Sequence, residues 1–166
     1  MYSVVLELRS IFINDGASQN IDLSFDFSDT EVSGYYPLVS PTTFCGGVYN
    51  RAGVVTLEGT AGYDYIAPCD RCGTDCASLR SVKICYTLVT SMNDEERDDY
   101  YVVENFLLDI ESLVRTDVLL SLPTKHLCKP DCKGLCSNCG ANLNKAQCGC
   151  SGEGNNPFAD ALSKFL

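Results

Sequence analysis

The sequence predicts an α+β protein: an antiparallel β-sheet with one packed helix and a cysteine-rich C-terminal module. Three observations carry that prediction. Apolar residues alternate with period two in successive stretches between Thr43 and Val89, separated by turn signals. One stretch, Leu108 to Ser121, repeats its apolar residues at helical spacing instead. Six cysteines then crowd between Leu127 and Gly152, a segment rich in Gly, Asn and Lys with little apolar side chain to bury. The chain has 166 residues and is 45% apolar, enough for one ordinary domain with its own core. The expected divisions are residues 1–124 for sheet and helix, 125–151 for the cysteine-rich module, and 152–166 for a linker and short C-terminal helix.

Tyr2 to Leu8 alternates weakly and is bounded by polar residues, which predicts a strand. Ile21, Leu23, Phe25 and Phe27 share one period-2 face inside an otherwise polar stretch, the pattern of a strand with one buried side. Pro37 and Pro41 break pairing and mark a connection. Thr43 to Tyr49 and Val54 to Ala67 read as strands joined through the turn Asn50-Arg51-Ala52-Gly53. In the second, Leu57, Ala61, Tyr63 and Tyr65 lie on one face. The chain turns through Pro68-Cys69-Asp70-Arg71-Cys72-Gly73 and returns as Leu79 to Val89, a long hairpin with a Cys-x-x-Cys at its tip. Ser91 to Asp99 reads as an acidic connector, and Tyr101 to Val103 as an added edge strand. The helix of Leu108 to Ser121 takes Asp109 as N-cap, packs Ile110, Leu113, Val114 and Val118, and stops at Pro123. Asn156-Pro157 opens a last short helix with Phe158, Leu162 and Phe165 on one face.

A net charge of −10 opposes extensive binding to nucleic acid, which depends on neutralising phosphates. The charge is uneven, however: Lys125, Lys129, Lys133 and Lys145 face Asp131 alone across the module and are candidate contacts for RNA or a protein partner. There is no run of eighteen apolar residues to span a bilayer. Met1 to Glu7 lacks the basic region, apolar core and cleavage site of an export signal, so the reducing cytoplasm is the expected location. There, eleven cysteines are better read as metal ligands and free thiols than as disulfides.

Zinc takes four ligands in a tetrahedron, and a Cys-x-x-Cys turn supplies two sulfurs from one knuckle. The chain has two such turns, Cys69/Cys72 and Cys136/Cys139, and two further pairs, Cys128/Cys132 and Cys148/Cys150. Four pairs make two tetrads. The preferred partition joins Cys69, Cys72, Cys128 and Cys132 at the hairpin tip, and Cys136, Cys139, Cys148 and Cys150 in the tail. A single site of Cys132, Cys136, Cys139 and Cys150 stays open beside it, so the expectation is structural zinc, one or two ions. On the two-site partition, replacing Cys69 loosens hairpin and tail together, whereas replacing Cys148 disturbs the tail alone. Of the remaining cysteines, Cys85 reads as a small half-buried strand residue and Cys76 as an alternative ligand near Cys72. His126, the only histidine, reads as a surface residue or a neighbour of a ligand, and not as a catalyst. Phosphate loops, nucleophile elbows and His-Glu-x-x-His motifs are absent from the sequence. No enzyme activity and no small-molecule substrate are expected.

Cys69-Asp70-Arg71-Cys72 between two strands, Leu120-Ser121-Leu122-Pro123 at a helix end, the run from Asp131 to Asn144 and Asn156-Pro157-Phe158 together resemble the YceD family. These are large ribosomal RNA subunit accumulation proteins of bacteria and plastids. The resemblance spans about Thr43 to the C-terminus and is most specific from Asp131 to Asn144. It implies a non-enzymatic role in 23S ribosomal RNA accumulation, through processing, stability or large-subunit assembly. The implied partner is large-subunit ribosomal RNA or a ribosomal protein, with no membrane. A zinc-stabilised protein-interaction adaptor without RNA contact is the alternative, and a thiol redox protein the third reading.

Overall fold

The computed structural model describes residues 4–91 and 100–150. The expected terminal helix, and all of the acidic connector past Ser91, lie outside the described residues. The described chain forms two compact units. One comprises residues up to Ala67 and Ala77–Thr124; the other comprises Pro68–Cys76 and residues 125–150.

The first unit is built on a five-stranded sheet. Its strands are β2 (Ser18–Phe25), β3 (Thr42–Arg51), β4 (Val54–Pro68), β5 (Asp75–Val89) and β6 (Tyr100–Val102), in that spatial order. β2 pairs antiparallel with β3, and β3 with β4, with Phe44 opposite Ala61 and Val48 opposite Leu57. Successive side chains on a strand point to opposite faces. Val55, Leu57, Ala61, Tyr63, Tyr65 and Ala67 of β4 are therefore buried together, over Phe44 and Val48 of β3 and Ile21 and Phe25 of β2. Gly59 falls on this inward face for a steric reason, because a Cβ there would enter the Phe44 ring. The β3–β4 turn holds Ala52 and Gly53 at φ of 54° and 81°, the left-handed conformation that its sequence favours.

The helix α2 (Ile110–Leu120) covers this core with Ile110, Leu113, Val114 and Val118, all buried. Its N-cap is Asp109, whose carboxylate accepts from the Ser112 amide at 3.0 Å. Tyr86 donates to Asp117 at 2.7 Å, and the hydroxyls of Tyr63 and Ser121 lie 2.8 Å apart.

Three features differ from the sequence expectation. The first strand, β1 (Val5–Glu7), pairs with β7 (Leu107–Asp109) in a separate two-stranded sheet. A five-residue helix, α1 (Arg9–Ile13), follows it without a side-chain cap. The edge strand β6 runs parallel to β5, so the main sheet is mixed and not purely antiparallel. Alternation marks a strand and its buried face but carries no direction; direction depends on where the connecting chain returns. Among the described residues no helix is long and apolar enough to cross a membrane.

Candidate metal centres

Among its described residues the second unit has almost no aliphatic core. Its buried cluster is Cys69, Cys72 and Cys132, with Cys76 and Leu127 packed against it. What it has is sulfur. The Sγ atoms of Cys69, Cys72, Cys128 and Cys132 lie within 4.8 Å of one another, and so do those of Cys136, Cys139, Cys148 and Cys150. In the first group, Cys69 and Cys132 are 3.8 Å apart, and Cys72 and Cys128 are 3.7 Å apart. A disulfide needs about 2.05 Å, and all eight are free thiols. Metal–sulfur bonds of about 2.3 Å in a regular tetrahedron set sulfur–sulfur edges of about 3.8 Å. The spacing fits four thiolates around one ion, so both groups can hold a metal.

The two Cys-x-x-Cys-Gly turns repeat one backbone pattern. The first cysteine's amide donates five residues ahead, Cys69 to Thr74 at 3.0 Å and Cys136 to Ala141 at 2.8 Å. Its carbonyl accepts from the glycine four ahead, Gly73 at 2.8 Å and Gly140 at 2.9 Å. Both glycines sit at positive φ, 65° and 72°, which closes the knuckle. This geometry aims two further amides at the first sulfur of each turn. Those of Arg71 and Cys72 reach Cys69, and those of Cys139 and Asn138 reach Cys136.

These donors shape the ionisation of the thiols. Cys69 is held down to about 6, first by the Cys128 amide and against the effect of burial. Cys136 is held down to about 6 by the amides of Cys139 and Asn138. A later thiol in each group resists. Burial pushes Cys128 up to about 12, and its hydrogen bonding to the neighbouring sulfurs adds to that. Cys150 is also pushed up to about 12, first by its hydrogen bond to Cys139. Backbone donors thus hold down the first sulfur of each group, whereas Cys128 and Cys150 stay protonated. A divalent cation among four sulfurs reverses that balance and favours thiolate at each.

Around the first group, Arg71 Nη1 donates to the Cys132 carbonyl at 2.8 Å, and Asn144 Nδ2 lies 3.2 Å from Cys132 Sγ. His126 is 5% exposed and so is not a surface residue; its Nε2 is 3.0 Å from Cys76 Sγ. The Asp70 carboxylate accepts from the His126 amide at 2.7 Å. Cys76 stands outside the quartet beside it, and burial pushes its thiol up. Cys45 and Cys85 lie on the sheet, and both are exposed, Cys85 more so than its half-buried expectation. Lys125, Lys129, Lys133 and Lys145 are all exposed, with Lys129 Nζ 4.0 Å from Asp131.

The structure thus brings the eight predicted cysteines together in the preferred two groups. It places Cys132 apart from Cys136, Cys139 and Cys150, against the single-site alternative. Sequence reasoning missed Arg71, Asn142 and Asn144, which support the sulfurs. The available signal was the run from Asp131 to Asn144, in which both asparagines lie among the counted cysteines.

The family model described as large ribosomal RNA subunit accumulation protein YceD matches residues 57–166. Over 46 residues the chain is 44% identical to the Arabidopsis thaliana chloroplastic YCED homolog 1, a large ribosomal RNA subunit accumulation protein; that stretch is 28% of this chain and 14% of the relative. Over 93 residues it is 31% identical to uncharacterized proteins of Mycobacterium bovis and Mycobacterium tuberculosis, covering 54% of this chain and 45% of each relative. The matched stretches therefore span less than half of these relatives. No solved structure matches.

Proposed function

Because this chain belongs to the YceD family of large ribosomal RNA subunit accumulation proteins, we propose that it is a non-enzymatic factor for 23S ribosomal RNA accumulation whose second unit is folded by two structural zinc ions. The observation that carries the zinc reading is the pair of sulfur quartets, each within 4.8 Å, the first with edges of 3.8 and 3.7 Å that match a tetrahedral thiolate site. Every coordination position in each quartet is taken by a cysteine. That leaves no open position for a substrate or an activated water, so the sites hold shape and supply no catalysis.

Electrostatics constrain how such a protein meets its partner. The described part of the second unit carries Arg71 and the four lysines against Asp70, Asp75 and Asp131. Each zinc–tetrathiolate adds about −2, so the loaded unit has no large positive field. The four exposed lysines suit a few local phosphate contacts and not an extended RNA track. The net charge of −10 favours a basic ribosomal protein as the second contact, in a cytoplasmic, reducing setting that keeps the thiols available. The test is sedimentation of tagged full-length protein with large-subunit precursors, before and after ribonuclease. Co-migration that ribonuclease abolishes supports contact through RNA. Co-migration that persists supports the protein-mediated adaptor, and absence from precursor fractions overturns the ribosomal role.

A further inference from the structure

We propose that the two sulfur quartets bind metal cooperatively and that Asn144 is the residue that couples them. This deepens the zinc reading and rests on it.

Only Lys133, Gly134 and Leu135 separate Cys132 of the first quartet from Cys136 of the second. The chain then turns through the second knuckle and comes back alongside. Cys136 N donates to Ala141 O at 2.8 Å, Leu135 bridges to Asn142, and Leu143 N donates to Gly134 O at 3.0 Å. This is a short antiparallel ladder, closed at one end by the turn that carries Cys136 and Cys139.

The open end of the ladder delivers the Asn144 carboxamide to the first quartet. Its Oδ1 accepts from the Lys133 amide at 2.9 Å, and that bond fixes which way the group points. Its Nδ2 lies 3.2 Å from Cys132 Sγ and 3.1 Å from Asn142 Oδ1. Asn142 in turn donates to Thr74 Oγ1 at 3.3 Å, on the loop that carries Cys72. A carboxamide N–H donating to sulfur stabilises the thiolate that a metal requires.

A second link runs through the backbone. Leu135 N donates to Arg71 O at 3.1 Å, and Gly134 approaches that carbonyl so closely that a Cβ would sit 3.1 Å from it, at φ of 75°. Arg71 lies between Cys69 and Cys72.

Apolar packing on the ladder is slight among the described residues, with Leu143 only half-buried. Leu135 is 48% exposed, and the unit's buried cluster contains no residue from Gly134 to Cys150. Closing the second quartet therefore sets the ladder, and the ladder sets the donor on Cys132. By reciprocity, closing the first quartet favours the second by the same factor. Replacing Cys148 then reaches beyond the tail to the hairpin tip, contrary to the sequence expectation.

The test uses the full chain and zinc alone, titrated against a competing chelator at equilibrium. C148S leaves only the first quartet intact and C69S only the second, so each gives one single-site constant. The overall two-ion constant of the unmutated protein is compared with their product. An excess of about tenfold or more is expected, the scale of a supporting hydrogen bond to a metal ligand. In an N144A background the same ratio is expected to fall toward one. A ratio of one in the unmutated protein overturns the coupling, and that comparison needs no change at Asn144. A ratio that N144A leaves intact overturns the role of Asn144. A chain that binds no zinc overturns the metal reading itself, whereas two ions that bind independently overturn the coupling alone.

Discussion

Stripping metal should unfold one unit and spare the other. The buried cluster of the second unit is three cysteines, and among its described residues Leu127 and Leu143 are only half-buried and Leu135 is exposed. Burying one leucine stabilises by about 1.5–3 kcal/mol. A structural zinc site contributes roughly 10–16 kcal/mol of apparent binding free energy at neutral pH. The metal term therefore exceeds the apolar term several-fold in this unit. In the first unit the core has Phe27, Phe44, Leu38, Leu57 and Ile84 fully buried, and neither cysteine quartet draws on its described residues. The assay is hydrogen exchange read by mass spectrometry, with native mass spectra confirming how many ions each sample carries. After chelation, residues 68–76 and 125–150 should lose protection while β2, β3 and β4 keep theirs. Full retention of protection in the second unit, in protein verified to be metal-free, would refute the reasoning. It would mean that the backbone bonds around Cys69 and Cys136 hold the knuckles by themselves.

Four further outcomes follow from single groups. Cys69 and Cys136, held down to about 6, should be alkylated slowly at pH 7 in loaded protein and rapidly once metal is removed; rapid reaction in the loaded protein would instead favour the redox reading. Cys45, exposed but pushed up by its hydrogen bond to Asp22, should react slowly in both states. Burial raises the carboxyl of Asp117, so folding favours its protonated form. The stability this provides is present below the unfolded value and is lost as pH rises through the folded one. Asp117→Asn, which still accepts from Tyr86, should therefore raise the thermal midpoint at neutral pH and have less effect in acid; an equal effect at both would remove burial as the cause. Gly59→Ala forces a methyl into the Phe44 ring and should cost about 1–3 kcal/mol by urea unfolding with the slope unchanged.

Much of the first unit was legible because local rules and burial agree there. Alternation in β2 and β4 named the buried faces, and the Asn50–Gly53 turn tied two strands together. Asp109 capped α2 where a short acceptor before an apolar helical repeat is expected. The pairing of β1 with β7 was not legible, since Leu6 meets Leu108 across most of the chain and nothing local to either strand names the other. Nor was α1, whose five residues lack a capping side chain and complete scarcely more than one turn.

The cysteines divide along the same line. Spacing alone marked the chain as carrying metal-type knuckles, because two cysteines separated by two residues and followed by glycine suit one tight turn with two sulfurs. Counting pairs made two quartets the economical partition. Which pairs share a quartet was decided by tertiary structure, where the hairpin tip at Cys69 and Cys72 meets Cys128 and Cys132 across more than fifty residues of sequence. The same holds for Asn144, a residue of no particular type or spacing until the returning ladder sets its amide 3.2 Å from Cys132. Ligand chemistry is a property of the residue and is written in the sequence. Which ligands converge, and what donates to them, depends on how distant segments meet, and only the folded chain specifies that.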